Sequence, residues 1–117
     1  MKNILLVDDD EDITTMLEFR IQKMGHNIEI IQKGSEVEPH VHSKMPDLII
    51  MDVNIPPPSG LDLCKTLKGN AATSQIPIIL ISGKEIEEDV KADAFVLKPY
   101  EWKDLEKQID TFLKQPS

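Results

Sequence analysis

The sequence has a single cysteine, Cys64, and only 4% of its residues are aromatic. One cysteine excludes an intramolecular disulfide and favours a reducing, cytoplasmic setting. Because Cys64 lies among regularly spaced leucines, we expect it to be a small buried hydrophobe. A 40% hydrophobic share over 117 residues is enough to fill one core without disulfides or metals, so we expect one domain over residues 1–117.

Long hydrophobic runs and excess positive charge are also missing. The longest apolar runs, such as residues 48–51 and 76–81, are far shorter than the roughly 18 to 20 residues that cross a bilayer. The apolar start is too short for a signal peptide and runs into Asp8, Asp9 and Asp10, so we expect neither export nor membrane insertion. A formal net charge of -8 disfavours direct binding to nucleic acid phosphates.

Short apolar runs alternate with longer amphipathic stretches along the whole chain, a pattern typical of βα units around a parallel sheet. Near-continuous Ile, Leu and Val in the first, third and fourth runs suit strands that are covered on both faces. The runs predict five strands, over Asn3–Val7, Asn27–Gln32, Asp47–Asp52, Ile78–Ser82 and Ala94–Leu97.

Apolar spacing of three and four residues predicts the helices between these strands. The first helix carries Ile13, Leu17, Ile21 and Met24 and ends at Gly25. The second is short, with Ser35 and Glu38 as a capping box that would place Pro39 in the first turn. The third starts after Gly60, runs through Leu61, Leu63, Cys64 and Leu67, and ends at Gly69 and Asn70. The last opens after Pro99 and buries Trp102, Leu105, Ile109 and either Phe112 or Leu113.

Polar residues follow the predicted strands at one edge of the sheet. Right-handed crossovers bring the carboxyl ends of parallel strands together, and ligands bind beyond those ends. Five side chains are expected to meet there, namely Asp8, Asp9, Asp52, Ser82 and Lys98. Three neighbouring carboxylates repel, and a hard divalent cation such as Mg²⁺ relieves that repulsion while accepting phosphate oxygens as further ligands. An aspartate can also accept a phosphoryl group, which the lysine and the hydroxyl would stabilise.

Four segments in this order resemble the response-regulator receiver domains of two-component signalling, over nearly the whole chain. They are Ile4–Asp10, Pro46–Asp52 with Pro56 and Gly60, Ile76–Ile79 leading to Ser82 and Gly83, and Phe95–Pro99. The resemblance implies a flavodoxin-like, doubly wound five-stranded parallel sheet of order 2-1-3-4-5. It also implies a cytoplasmic switch that takes a phosphoryl group from a histidine kinase or phosphotransfer protein and then changes its binding to a downstream protein.

The resemblance also implies a role for each site residue. Asp52 would be the phosphoacceptor, Asp8 and Asp9 the acidic pair for Mg²⁺, and Asn54 a metal ligand through its backbone carbonyl. Ser82 would be the switch hydroxyl and Lys98 the lysine that contacts the phosphoryl group. Phe95 stands at the position of the switch aromatic, and the side chains of Asn54 and Lys84 stand at the two positions that tune autodephosphorylation.

Several residues also have structural interpretations. Asp10, Glu11 and Asp12 suit the first turn of a helix better than a metal site. Phe95 is as compatible with the core as with a switch. Ser82 could be an ordinary strand-end hydroxyl, and Lys98 before Pro99 a solvated strand terminator. His40 and His42 are two residues apart and cannot share a metal on a helix, and His26 stands alone.

The chain departs from the receiver pattern in two places. Only about residues 84–90 are left for a fourth helix between Ser82 and the fifth strand, so that helix is predicted to be shortened or missing. The loop over residues 55–60 carries three consecutive prolines that should stiffen it. Two other functions stay open, a receiver-like interaction domain that is not phosphorylated and an aspartyl-nucleophile phosphatase. The phosphatases carry a second acid two residues after the nucleophile, where this chain has Asn54.

Overall fold

The computed structural model describes residues 1–114. Five parallel strands form one sheet in the order β2-β1-β3-β4-β5, as predicted. The strands are β1 (Asn3–Val7), β2 (Asn27–Ile31), β3 (Leu48–Asp52), β4 (Ile78–Ser82) and β5 (Ala94–Leu97). Two predicted ends shift by one residue, since β2 stops before Gln32 and β3 begins after Asp47. Asp47 instead accepts the backbone N–H of Asn3 on Oδ2 at 2.8 Å, which closes the amino-terminal edge of the sheet.

Within residues 1–114, four α-helices flank the sheet, namely α1 (Glu11–Lys23), α2 (Val37–Lys44), α3 (Gly60–Lys68) and α4 (Trp102–Leu113). Asp10 caps α1 by accepting the backbone N–H groups of Asp12 and Ile13, which confirms its structural interpretation. Gly25, with a φ of 94°, follows the end of the same helix, as predicted. Leu113, and not Phe112, is the buried residue near the end of α4.

The prediction of a capping box at Ser35 and Glu38 is wrong. A 3₁₀ turn over Gly34–Glu36 precedes α2, and neither element has a side-chain hydrogen bond at its cap. Packing against the loop after β3 sets this turn, since the backbone N–H of Gly34 donates to the carbonyl of Pro56 at 2.8 Å. Pro39 is nevertheless in the first turn of α2, where its missing N–H costs no hydrogen bond.

Two apolar cores lie on opposite faces of the sheet. One packs β1, β3 and β4 against α2 and α3 and includes Val7, Met51, Cys64 and Leu80. The other packs the same strands against α1 and α4 and includes Leu6, Ile50, Ile81 and Leu105. Each core takes alternate residues of a strand, which is why β3 and β4 are buried at every position.

The fourth helix of the receiver pattern is missing. Residues 83–93, called the strap below, connect β4 to β5 without helical structure, and only Val90 of the strap is buried. Phe95 and Leu97 lie on the strap side of β5, opposite the buried Val96, and are 51% and 49% exposed. The interpretation of Phe95 as a core residue is therefore wrong, because no helix covers this face of β5.

Candidate functional site

The carboxyl ends of four strands meet at one edge of the sheet. Val7 pairs with Met51, Asp52 pairs with Ile81, and Ser82 pairs with Leu97. The residues that follow or end these strands are therefore neighbours. Asp8, Asp52 and Ser82 are nearly buried, at 3%, 5% and 7% exposed, whereas Asp9, Asn54 and Lys98 are exposed.

Asp52 is held by two donors. The Lys98 ammonium contacts Asp52 Oδ2 at 2.5 Å, and the backbone N–H of Asn54 donates to Asp52 Oδ1 at 2.8 Å. Two fixed donors hold the carboxylate at the edge of the sheet and away from the apolar interior. The carboxylate also lines an open cleft of about 610 Å³, together with Asn54, Leu61, Ser82 and Lys84. The cleft therefore gives access to a carboxylate whose orientation is already set.

Asp8 shares the charge environment of Asp52. Burial raises the pKa of the Asp8 carboxyl, and the negative charges of Asp52 and Asp9 raise it further. The backbone N–H of Asp10, which donates to Asp8 Oδ1 at 2.9 Å, and the charge of Lys98 act in the opposite direction. The fold thus keeps a carboxylate in a place where its negative charge is disfavoured.

Lys98 stays charged in this cluster. Burial lowers the pKa of its ammonium, but the hydrogen bond to Asp52 and the charges of Asp52 and Asp8 outweigh that effect and raise it overall. Tyr100, which no sequence motif marked as a site residue, lies beside the same groups. Burial and the charge of Asp8 raise the pKa of its hydroxyl. Its place two residues after Lys98 was the signal that could have identified it.

Ser82 is bound to the strap. Its hydroxyl donates to the backbone carbonyl of Lys84 at 2.6 Å and accepts the backbone N–H of Lys84 at 3.2 Å. The Lys84 side chain is exposed and lines the same cleft as Asp52. Phe95 also lies near the start of the strap, where Phe95, Lys84 and Ile86 line a shallow groove.

The residues at this edge fit a magnesium ion. Among residues 1–114, no three His, Cys, Asp or Glu side chains are grouped closely enough to hold a metal by themselves. Mg²⁺ does not require such a group, because it commonly takes one or two carboxylates and completes its shell with waters, carbonyls and phosphate oxygens. Asp8 and Asp52 supply oxygen donors, and Lys98, which pairs with Asp52, compensates only part of their negative charge. Asp9 is exposed, and its charge acts on Asp8.

The histidines lie outside this cluster. His40 is 3.7 Å from Glu29, and His42 is 4.0 Å from Glu38, each as an isolated pair. Cys64 is buried, as predicted, and its Sγ donates to the carbonyl of Val90 at 3.2 Å. No helix within the described part of the chain is long and apolar enough to span a membrane.

Comparison with known proteins identifies the family. The response regulator receiver domain model matches residues 4–110. The phosphate regulon transcriptional regulatory protein PhoB of Rhizobium meliloti is 29% identical over 121 residues, covering 98% of this chain and 53% of PhoB. The chain therefore spans about half the length of such curated relatives.

Solved structures agree with this match. The receiver domain of a signal transduction histidine kinase from Syntrophus aciditrophicus superposes with a TM-score of 0.92 and 28% identity, covering 97% of this chain and 91% of that one. The response regulator TrrA of Thermotoga maritima, solved in complex with Mg²⁺ and BeF, has a TM-score of 0.88 and 27% identity, covering 97% and 100%. The matched profile, the strand order and the acidic edge of the sheet agree, and the chain belongs to the response regulator receiver domain family.

Proposed function

We propose that the chain accepts a phosphoryl group on Asp52 from a histidine kinase or a phosphotransfer protein, with Mg²⁺, and that this changes its binding to a downstream protein. The observation that carries the proposal is the carboxylate of Asp52, nearly buried at the floor of an open cleft and held by Lys98 and the N–H of Asn54. Such a group is fixed in place yet reachable by a phosphoryl donor.

The chemistry is a transfer between two nucleophiles. A carboxylate oxygen of Asp52 forms a bond to phosphorus while the bond from phosphorus to the donor's imidazole nitrogen breaks. That nitrogen keeps the electron pair, and the imidazole leaves as a neutral ring whose other nitrogen carries the proton. Lys98 is already at Oδ2 and would stabilise the negative oxygens of the transferred group. Asp8, Asp9, Asp52 and the carbonyl of Asn54 would hold Mg²⁺. The ion would neutralise charge that builds up on the phosphoryl oxygens.

Switching requires an exchange at Ser82. Its hydroxyl has one proton, which it donates to the carbonyl of Lys84 in this structure. To donate to a phosphoryl oxygen instead, it must release that carbonyl and with it the start of the strap. Phe95 and Leu97 lie beside the strap and are already half exposed, so this face would change its shape on phosphorylation. The net charge of -8 makes a protein a better partner for that face than nucleic acid.

The direct test is phosphorylation by a small donor. We expect one added phosphoryl group by intact mass after incubation with acetyl phosphate and Mg²⁺, no addition to Asp52→Ala, and no addition when the Mg²⁺ is chelated. Ser82→Ala should still be phosphorylated, but phosphorylation should change its affinity for the downstream protein less than it changes that of the wild type. An unmodified wild-type chain under these conditions would contradict the proposal.

That negative result would favour a receiver-like interaction domain that is not phosphorylated. One observation favours this second function, namely that the fourth helix is missing from the face next to β5. The phosphatase interpretation has less support, because the exposed Asn54 stands where those enzymes carry an acid.

A further inference from the structure

The loop between Asp52 and α3 is held from both sides by glycines. Its three consecutive prolines, at positions 56, 57 and 58, are all exposed and form no part of the apolar cores. On the inner side, the N–H of Gly60 donates to the carbonyl of Val53 at 2.9 Å. On the outer side, the N–H of Gly34 donates to the carbonyl of Pro56 at 2.8 Å. The loop after the acceptor is thus bound to the turn before α2.

Gly34 approaches the proline loop too closely for any side chain. A Cβ at this position would lie 1.9 Å from the carbonyl oxygen of Pro58, 2.7 Å from its nitrogen and 2.9 Å from the carbonyl oxygen of Pro56. All three atoms belong to the backbone, so no rotamer change could relieve the overlap. Close packing therefore requires glycine here, and an alanine would force the two loops apart.

The contact is close to the acceptor along the chain. Pro56 is two residues after Asn54, whose N–H binds Asp52 Oδ1. The fixed φ angles of consecutive prolines leave few backbone torsions that could absorb a displacement. The Gly60 bond to Val53 closes the loop on its other side. A shift at Pro56 or Pro58 is therefore passed on to Asn54.

We propose that Gly34 is a positioning residue for the phosphoacceptor. By holding the proline loop, it fixes the Asn54 N–H against Asp52 Oδ1 and the Asn54 carbonyl where Mg²⁺ is expected. This inference rests on the proposed function of Asp52. The inference also explains the three prolines. A stiff loop keeps Asn54 in position when Gly34 holds Pro56, whereas a flexible loop would let Asn54 move independently of that contact.

The test is Gly34→Ala, read out in three ways. We expect the Mg²⁺ dissociation constant from calorimetry to rise about 10- to 100-fold, and phosphorylation by acetyl phosphate to slow by a similar factor, as for other small misplacements. The amide hydrogen of Asn54 should exchange faster with solvent. Gly69→Ala is the matched control, because its Cβ would lie 3.1 Å from the carbonyl of Lys65 at the far end of α3. It should leave all three measurements unchanged.

A second variant covers the case in which Gly34→Ala does not fold. Pro56→Gly keeps the carbonyl that Gly34 binds but frees the backbone between that carbonyl and Asn54. We expect weaker Mg²⁺ binding and faster Asn54 exchange in a folded protein. A core variant of similar stability loss, Ile109→Val on the opposite face, separates this effect from general destabilisation.

The inference is overturned if both loop variants bind Mg²⁺ and exchange the Asn54 amide hydrogen like the wild type. If Gly34→Ala does not fold, the same wild-type result for Pro56→Gly alone overturns it. Its failure differs from that of the proposed function, in which the wild-type chain itself gains no phosphoryl group. In that case the exchange rate of Asn54 still decides whether Gly34 holds the loop.

Discussion

At the scale of single residues, the acidic edge of the sheet costs stability. Burial and the neighbouring charges of Asp52 and Asp9 raise the pKa of Asp8, so its charged form is disfavoured in the folded chain. One lysine, Lys98, offsets only part of the charge of three carboxylates. A folded protein that keeps such a cluster has given up stability for binding, as functional sites commonly do.

We therefore predict that Asp8→Asn stabilises the metal-free protein. The amide removes the buried charge, and its Oδ1 can still accept the N–H of Asp10. The free energy of unfolding in urea should rise by about 1 kcal/mol. Mg²⁺ at about 100 times its dissociation constant should add about 2.7 kcal/mol to the wild type and much less to Asp8→Asn. A variant that is less stable than the wild type without metal would contradict this explanation.

His26 is predicted to make the unfolding free energy depend on pH. Burial and then the positive amino terminus lower the pKa of its imidazole, with Lys2 adding to the effect and Asp110 and Asp47 opposing it. Its Nδ1 accepts the backbone N–H of Lys2 at 3.3 Å, which requires the neutral ring. The unfolded chain, with a pKa near 6.5, therefore takes up the proton first.

At pH values above 6.5, the pKa of the unfolded chain, the neutral His26 ring stabilises the folded protein. This stabilisation is lost as the pH falls below 6.5 and through the lower pKa that His26 has in the folded protein. Unfolding free energies measured at about pH 7.5 and about pH 5.5 should differ more in the wild type than in His26→Gln, which cannot titrate. Equal differences in the two proteins would show that His26 has no part in the pH dependence.

At the scale of elements, the strap is the unusual part of the fold. It is irregular, yet its second half is bound to α3 and to β4. Lys68 pairs with Asp93 at 2.7 Å, and Asp93 also accepts the N–H of Ile78 at 2.8 Å. Val90 is 1% exposed and packs into the core that contains Cys64. Ile86 and Ala92 are partly buried against the same core. Burial of Val90, these two partly buried side chains and a few polar contacts thus provide the packing that a helix would otherwise provide.

Val90→Ala should loosen this anchor. Removal of two buried methyl groups is expected to lower the unfolding free energy by about 2 kcal/mol, measured by urea denaturation. Phe95→Ser is the matched control in the next strand. It removes a larger side chain, but one that is 51% exposed, so the unfolding free energy should fall by less than it does in Val90→Ala. The opposite ranking would mean that the strap does not anchor the fold and that Phe95 does.

At the scale of the whole molecule, acidic charge is in excess on a small fold. The net charge of -8 is spread over a chain with a radius of gyration of 13.0 Å. Repulsion between like charges disfavours the compact state, and salt screens it over about 10 Å at 0.1 M. Sodium chloride should therefore raise the melting temperature gradually.

Mg²⁺ should raise the melting temperature more than sodium chloride of the same ionic strength, because the proposed function requires that it also bind the carboxylates at the sheet edge. Scanning calorimetry of the wild type and Asp52→Ala in both salts would measure this. The excess effect of Mg²⁺ should largely disappear in the variant, while the response to sodium chloride remains. An equal response of both proteins to Mg²⁺ would mean that screening alone explains it.

The sequence by itself determined the fold class, the strand order through the resemblance, and four of the five side chains that were predicted to meet at the edge of the sheet. The fifth, Asp9, is exposed and forms no three-carboxylate group with Asp8 and Asp52 within residues 1–114. Apolar periodicity marks buried strands and helix faces locally, and parallel strands must bring Asp8, Asp52, Ser82 and Lys98 together at one end. The short segment between Ser82 and the fifth strand also predicted a fourth helix that is shortened or missing, and the structure shows that it is missing. All of these features depend on local pattern or on chain length.

Only the tertiary structure decided the contacts between segments far apart in sequence. The exposure of Phe95 depends on what covers β5, and periodicity within β5 contains no information about that cover. The turn at Gly34, which replaced the predicted capping box, depends on how closely the loop after Asp52 passes. The bond between Ser82 and Lys84 likewise depends on the path of the strap. Distances of this kind are set by packing across the sheet, because side-chain volume and backbone reach decide them and local propensity does not.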